Sequence, residues 1–185
     1  MLCLCSASPT RAQILREFGI DFVQRGVVFD EEQIETDDAA TFVYQAAKGK
    51  LEAAITQYGL ETPLLCADTV IAAPDGTILR KARDVQDARA ILMKQSGSQI
   101  AIITSMHYRS AALYLTDTSA THYRLAPFDP DALEDYLRSG QWEGKAGACM
   151  VEGFCRSYIR DVRGRESTAR GLQAEVLLPW LERAR

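Results

Sequence analysis

An α/β fold on a mixed sheet is what this sequence predicts, and three observations predict it. Strand-like and helix-like segments alternate along the first half of the chain. Leu64–Ala73 is an apolar run broken only by Asp68 and Thr69, which suits a central strand buried on both faces. Pro74-Asp75-Gly76 then turns the chain back, and two or three further β-like segments follow between Gln99 and Phe128. At 185 residues the chain can bury a substantial core as one domain, or as one domain with two lobes. No repeat, low-complexity tract or linker divides it, so residues 1–185 read as one unit.

Met1–Cys5 reads as a short buried strand. Ser8 can cap the helix that follows, with Pro9 at its first position, Ile14, Leu15 and Phe18 on one face, and Gly19 at its end. Asp21–Phe29 is β-like. Thr36-Asp37-Asp38 caps a second helix that buries Phe42, Val43, Ala46, Ala47, Leu51, Ala54 and Ile55 and stops at Gly59. Thr77–Arg80 is the returning strand, and Asp84 caps a helix through Gln95. Asp129-Pro130 opens another helix to Arg138, ended by Gly140. Ser157–Val162 is a late strand, and a closing helix covers about Gln173–Ala184.

Composition narrows the function classes. The net charge of −4 argues against a binder of nucleic-acid polymers, whose phosphate affinity rests on clustered Lys and Arg, but leaves room for a local basic pocket around one small anion. No apolar stretch is long enough to span a bilayer. The five cysteines, Cys3, Cys5, Cys66, Cys149 and Cys155, are odd in number and scattered, and Met1 runs straight into a strand-like segment without a basic, apolar leader. The expectation is a reduced cytosolic setting with the cysteines as small core residues.

Four features carry chemistry. The turn Ser6-Ala7-Ser8-Pro9-Thr10-Arg11 feeds a strand into a helix whose first-turn N–H groups lack internal partners. Arg11 stands where a capping box would place Glu or Gln. Ser8 and Arg11 thus make either a phosphate cradle or an ordinary cap with an exposed Arg. Asp68 is a carboxylate inside an apolar strand; it loses hydration there and needs a metal, a cation or several hydrogen bonds, which makes it a candidate metal ligand or general base. The acidic loop Asp30-Glu31-Glu32 offers hard oxygen ligands, with Glu32 and Asp68 as the expected pair, although a charge run in a loop is usually solvated surface. Lys50, Lys81 and Lys145, with Arg11, can neutralise a polyphosphate; each taken singly is an ordinary surface lysine. His107 and His122 have no ligand spacing, and no Gly-x-Ser-x-Gly elbow is present, so neither histidine nor any Ser or Cys is assigned a catalytic role.

Cys5-Ser6-Ala7-Ser8-Pro9-Thr10-Arg11, Glu31-Glu32, Lys50, Ala67-Asp68-Thr69-Val70-Ile71, Arg80-Lys81-Ala82-Arg83-Asp84 and the block from Lys145 to Gly153 follow one another in register. Together they resemble the Maf family of septum-formation-inhibitor-like proteins over nearly the whole chain. That family's patterns there are Ala-Ser-x-Ser-Pro-Arg-Arg, an acidic pair, a helix lysine, Ala-Asp-Thr-Val-Val, Gly-Lys-Pro-x-Asp and Lys-Ala-Gly-Ala-Tyr-x-Ile-Gln-Gly. The resemblance implies an elongated two-lobed fold similar to inosine triphosphatases, with the active cleft between the lobes. It implies hydrolysis of a nucleoside triphosphate to monophosphate and pyrophosphate with Mg²⁺, Mn²⁺ or Co²⁺, in a house-cleaning or division-linked role, and a homodimer. Carried over, Ser8 and Arg11 hold phosphate, Lys50 and Lys81 stabilise charge, Glu32 and Asp68 bind metal, and Asp68 orients or deprotonates the attacking water. Thr10, Ala82 and Gln173 depart from the family's Arg, Pro and Pro. Glu152 stands where the thymidine/uridine-preferring branch has Gln; a carboxylate only accepts hydrogen bonds and matches the adjacent N–H donors of a guanine-type base, 7-methylguanine included. The Ala-Asp-Thr strand is more like the pyrimidine branch, which keeps dTTP and UTP open. The alternative readings are a nucleotide-binding regulator of septum formation with little turnover, and an interaction protein acting in division or growth arrest.

Overall fold

A computed structural model describes residues 1–149 and 151–183. The first half is β1 (Leu2–Cys5), α1 (Pro9–Glu17), β2 (Phe22–Arg25), α2 (Ala39–Tyr58) and β3 (Leu64–Ala72). The second is β4 (Ile78–Leu79), α3 (Val85–Gln95), β5 (Gln99–Arg109), β6 (Tyr114–Leu125), α4 (Pro130–Arg138), β7 (Ile159–Arg163), α5 (Glu166–Arg170) and α6 (Ala174–Arg183). The described strands form one mixed sheet in the order β2-β1-β3-β5-β6-β7, with β4 paired to β3. β1 is parallel to both β2 and β3, and the later pairings are antiparallel. The α/β class and mixed sheet are as the sequence predicts.

Caps fix where the helices begin. Ser8 Oγ accepts from the Arg11 N–H at 3.3 Å, Asp38 Oδ1 from Thr41 at 2.7 Å, Asp84 Oδ1 from Asp87 at 2.8 Å and Asp129 Oδ1 from Ala132 at 2.9 Å. Gly59, at φ 69°, ends α2 in a conformation that costs a glycine little. Other boundaries differ from expectation. β2 stops at Arg25, and the rest of the β-like run is loop. The late strand begins at Ile159 because Phe154–Tyr158 forms a 3₁₀ turn, where Phe154 stacks on Tyr136 at 4.4 Å and meets Phe128 edge-on at 5.1 Å. α5 is an addition to the expected elements, and the closing helix starts one residue late; Ala184, its expected end, lies outside the described residues.

Alternation along the strands sorts the layers. Leu2, Leu4, Leu65 and Ala67 turn toward α1 and α6. Cys3, Cys5, Leu64 and Cys66 turn to the opposite face, under Leu51 and Ala54 of α2. Further along the first face, Ile71, Ile100 and Ile102 belong to a separate cluster with Ala88 and Leu92 of α3 and Leu133 and Tyr136 of α4. The two clusters on that face leave a cleft between them. Replacing the cap of the long helix, Asp38→Ala, is expected to lower stability by about 1 kcal/mol and the melting temperature by roughly 2–4 °C, as read by thermal unfolding.

Candidate active site

The crossover from β1 to β2 runs through α1, and the one from β2 to β3 through α2, on opposite faces of the sheet. A chain that leaves a strand in both directions opens a crevice at that strand's carboxyl end. β3 outlasts β1: they pair at Cys3↔Leu64 and Leu4↔Leu65, and β4 joins β3 only at Ile71 and Ala72. From Ala67 to Val70 that edge of β3 therefore has no ladder partner among the described residues. Asp68 and Thr69 sit in this gap, one directed to each face.

Asp68 is 6% exposed. Lys50, from α2, donates to Asp68 Oδ1 at 2.5 Å and to Glu31 Oε1 at 2.6 Å. Burial raises the Asp68 pKa above its ordinary 3.8 because it penalises the charged form; Lys50 and Arg11 oppose that shift and Glu31 reinforces it.

Glu31, rather than the expected Glu32, is thus the acid of the loop that approaches Asp68. Glu32 is exposed, and its N–H donates to Asp30 Oδ1 at 3.0 Å. The reason is local. Glu31–Gln33 is a 3₁₀ turn, and Phe29 just before it lies flat on α2 at Gly49, where an added Cβ would overlap the ring. That contact sets the loop beside Lys50, the residue after Gly49, and the turn leaves Glu31 facing it. A glycine within a 20-residue helix is the signal that could have flagged this close approach.

On the other face Arg11 is clamped. Its Nε donates to the Gly171 carbonyl at 2.8 Å, Nη1 to Ser6 Oγ at 3.1 Å and Nη2 to Thr69 Oγ1 at 3.1 Å. Thr69 and Thr104 share a hydrogen bond at 2.8 Å, and Thr104 Oγ1 donates to the Thr168 carbonyl at 2.7 Å. Arg11 therefore joins β1, β3 and the end of α5, with N–H groups left over for an anion. Burial draws its pKa down, against the pull of Asp68 and Glu31.

Asp68, Lys50, Arg11 and Thr69 open on a cavity of about 450 Å³. Five cationic side chains, Arg11, Lys50, Lys81, Lys145 and Arg170, share its walls with two carboxylates, Asp68 and Glu152, and Ser8 also lines it. The cavity is cationic although the chain carries −4. Lys81 is held by an isolated bridge to Ala146, so it and Lys145 arrive together. The loop carrying Lys145 is strapped down: Gln95 Nε2 donates to the Gly147 carbonyl at 2.6 Å, and Tyr136 Oη to the Ala148 carbonyl at 3.0 Å. Gly147, at φ 59°, is pressed against Ile71, and Ala148 carries an uncommon positive φ of 51°. Glu152 is exposed at the cavity; Met150, within the same block, lies outside the described residues. The cavity wall Arg170, gripped through both terminal nitrogens by Glu17 at 2.7 and 2.9 Å, was not singled out from the sequence, where one arginine among many carries no signal.

The departures from the family pattern also have places. Thr10 is a cavity wall. Gln173 is fully buried and its Nε2 donates to the Thr104 carbonyl at 2.6 Å, a bond that a proline at this position could not make. His107 is buried, shares a hydrogen bond with Tyr114 Oη at 2.8 Å and is pushed by burial down to about 4, which keeps it neutral at physiological pH.

Among the described residues no three His, Cys, Asp or Glu side chains converge on a metal position. Two carboxylate oxygens do, Asp68 Oδ1 and Glu31 Oε1, both now bonded to one ammonium. That donor set suits a hard dication of the magnesium kind, which takes one or two carboxylates and completes its shell with phosphates and water.

Fold and cleft together define an α/β protein whose strand-end crevice is charged to receive a compact anion. Comparison with known proteins gives the family. The model of the Maf-like protein family matches residues 1–184, and the chain belongs to that family. A nucleoside triphosphate pyrophosphatase of Nitratiruptor sp. is 54% identical over 179 residues, covering 96% of each chain. One from Helicobacter pylori (strain Shi470) is 39% identical over 181 residues, covering 98% of this chain and 95% of its own. Among solved structures, the nucleoside-triphosphatase / dITP/XTP pyrophosphatase of Mycobacterium abscessus shares the fold at a TM-score of 0.51 and 18% identity, over 98% of this chain and 94% of that one. No described helix is long and apolar enough to cross a membrane.

Gly49→Ala tests the seating of the acidic loop. Alanine favours a helix by up to about 1 kcal/mol over glycine, yet the displaced Phe29 ring is expected to make the variant less stable by roughly 1–3 kcal/mol, as read by urea unfolding.

Proposed function

We propose that this chain hydrolyses a nucleoside triphosphate between its α- and β-phosphates, releasing a nucleoside monophosphate and pyrophosphate. The observation that carries the reading is Asp68, a desolvated carboxylate at an open strand edge, facing a cavity walled by cations. Its relatives' name, nucleoside triphosphate pyrophosphatase, supports the same reading. So does the cavity volume, within the range of small-molecule sites.

In this reading the first turn of α1, with Ser8 and Arg11, receives phosphate oxygens by hydrogen bonding and helix dipole. Lys50, Lys81 and Lys145 neutralise charge that grows on the departing pyrophosphate, and Arg170, held by Glu17, is a fixed cation of the same wall. Asp68 orients a water toward the α-phosphorus and accepts its proton as the new P–O bond forms and the bond to the bridging oxygen breaks. A divalent cation, Mg²⁺, Mn²⁺ or Co²⁺, held by Asp68 and Glu31, would add Lewis-acid neutralisation of the polyphosphate.

Asp68 must be ionised to accept that proton, and burial raises its pKa above 3.8. Activity is therefore lost as pH falls through a value higher than an ordinary aspartate's, and is restored as pH rises. The acidic limb of kcat/KM should show this displaced midpoint. Asp68→Asn should lower pyrophosphate release by at least about 100-fold at neutral pH; near-native activity in that variant would remove Asp68 from the chemistry.

Glu152 is proposed to read the base, its acceptor-only carboxylate favouring guanine-type donors, 7-methylguanine included. In a panel of 7-methyl-GTP, GTP, dTTP and UTP, Glu152→Gln should shift the kcat/KM ratio toward dTTP and UTP by about tenfold. Dominance of dTTP in both proteins would end this assignment.

A further inference from the structure

Lys50 occupies the point where the two carboxylate oxygens of the site converge. Its Nζ lies 2.5 Å from Asp68 Oδ1 and 2.6 Å from Glu31 Oε1, and its side chain is 16% exposed. Two carboxylates brought so close repel each other, and in a partly desolvated site that repulsion is screened little. A cation must stand between them whether or not anything is bound. In the protein alone that cation is Lys50.

A magnesium-like ion bonds carboxylate oxygens at about 2.0–2.1 Å. It cannot take Asp68 Oδ1 and Glu31 Oε1 while an ammonium bonds both, so ion and lysine compete for the same two atoms. Lys50 is also a wall of the cavity, and an ammonium on a flexible four-carbon stem can swing without disturbing its helix. Displaced, it moves into space already walled by Arg11 and Lys81, where a further cation is unfavourable until a polyanion arrives.

We infer that Lys50 is an internal stand-in for the divalent metal, exchanged off the Asp68–Glu31 pair when metal binds and passed to the triphosphate. Metal and nucleotide then bind with positive coupling: each relieves a cost the other creates, and the coupling is equal in both directions. Metal alone binds weakly. The inference rests on the proposed metal-dependent reading of the site and adds the order imposed by one side chain.

The test is Mn²⁺ binding by the full chain, read from the free-ion signal in electron paramagnetic resonance, with and without an α,β-methylene nucleoside triphosphate. Lys50→Met keeps an apolar stem and removes the competitor. Without nucleotide it should bind Mn²⁺ about tenfold or more tighter than wild type. The analogue itself ligates Mn²⁺, so the signal lost to the protein-free Mn²⁺–analogue complex is subtracted. Binding should then tighten for both proteins, but for wild type by about tenfold more than for Lys50→Met. Equal or weaker binding by a folded Lys50→Met overturns the inference. A second measurement needs no variant: in wild-type protein, saturating Mg²⁺ without nucleotide should increase acylation of Lys50 severalfold, followed by peptide mass spectrometry. Unchanged or reduced labelling also overturns it. Pyrophosphate release by the wild-type protein, measured with a hydrolysable nucleoside triphosphate, separates the two readings. Hydrolysis without the Mn²⁺ effect sinks the exchange alone, and the Mn²⁺ effect without hydrolysis sinks the proposed activity alone.

Discussion

A carboxylate drawn out of water has to find a cation or surrender its charge, and the Asp68–Lys50 contact is where this fold meets that demand. Much of the surrounding architecture serves to keep the contact in place. β3 must run past the end of β1 so that Asp68 emerges at an unpaired edge. α2 must cross that face closely enough for Lys50 to reach it. The loop before α2 must seat its second acid on the same ammonium, which it does through Phe29 lying on Gly49. None of these features is polar chemistry in itself; strand register, helix crossing and a missing Cβ together put three charged groups in one place.

The cleft brings together two kinds of positive charge. Arg11 is rigid, with three donors fixed on Gly171, Ser6 and Thr69, and Arg170 is held by Glu17. A planar guanidinium held this way presents its remaining donors in one direction, as recognition of a fixed oxyanion requires. Lys50, Lys81 and Lys145 are point charges on flexible stems. Lys50 is tied at its tip to Asp68 and Glu31, whereas Lys81 is positioned through its backbone bridge to Ala146, and the loop after it by Gln95 and Tyr136. Fixed arginines suit groups that keep their places through a reaction, and mobile lysines suit charge that moves.

What was legible in the sequence, and what was not, follows from the range of each interaction. Caps at Ser8, Asp38, Asp84 and Asp129 are local, and each stands where its residue type predicts. Asp68 was legible because an acid in an apolar run breaks a simple pattern. The choice between Glu31 and Glu32 was not, because both satisfy the same motif spacing and the turn that separates them depends on Phe29 meeting Gly49 twenty residues later. Arg170, Thr104 and Thr168 reach the site through the short helix α5, which carries little periodic signal of its own, and through pairings between distant strands. β2 was read too long because Val27, Val28 and Phe29 are apolar for a different reason: Val27 and Phe29 pack against α2-side clusters from a loop.

The site also has a cost to stability, and its sign is fixed. A carboxyl whose pKa is raised by folding contributes stability below its unfolded pKa and loses that contribution as pH rises through the folded value. Near neutrality, ionised Asp68 is thus a group the fold tolerates rather than one that holds it together. Lys50 reduces the cost but does not remove it, since the net shift remains upward with the lysine in place. An apolar residue at this position would suit β3 better, its neighbours Ala67 and Val70 being buried without such conflict. A stronger cation, or a proton, reaching this incompletely compensated carboxylate would relieve that cost. The tension in the free protein and its readiness for a charged ligand are therefore one physical property.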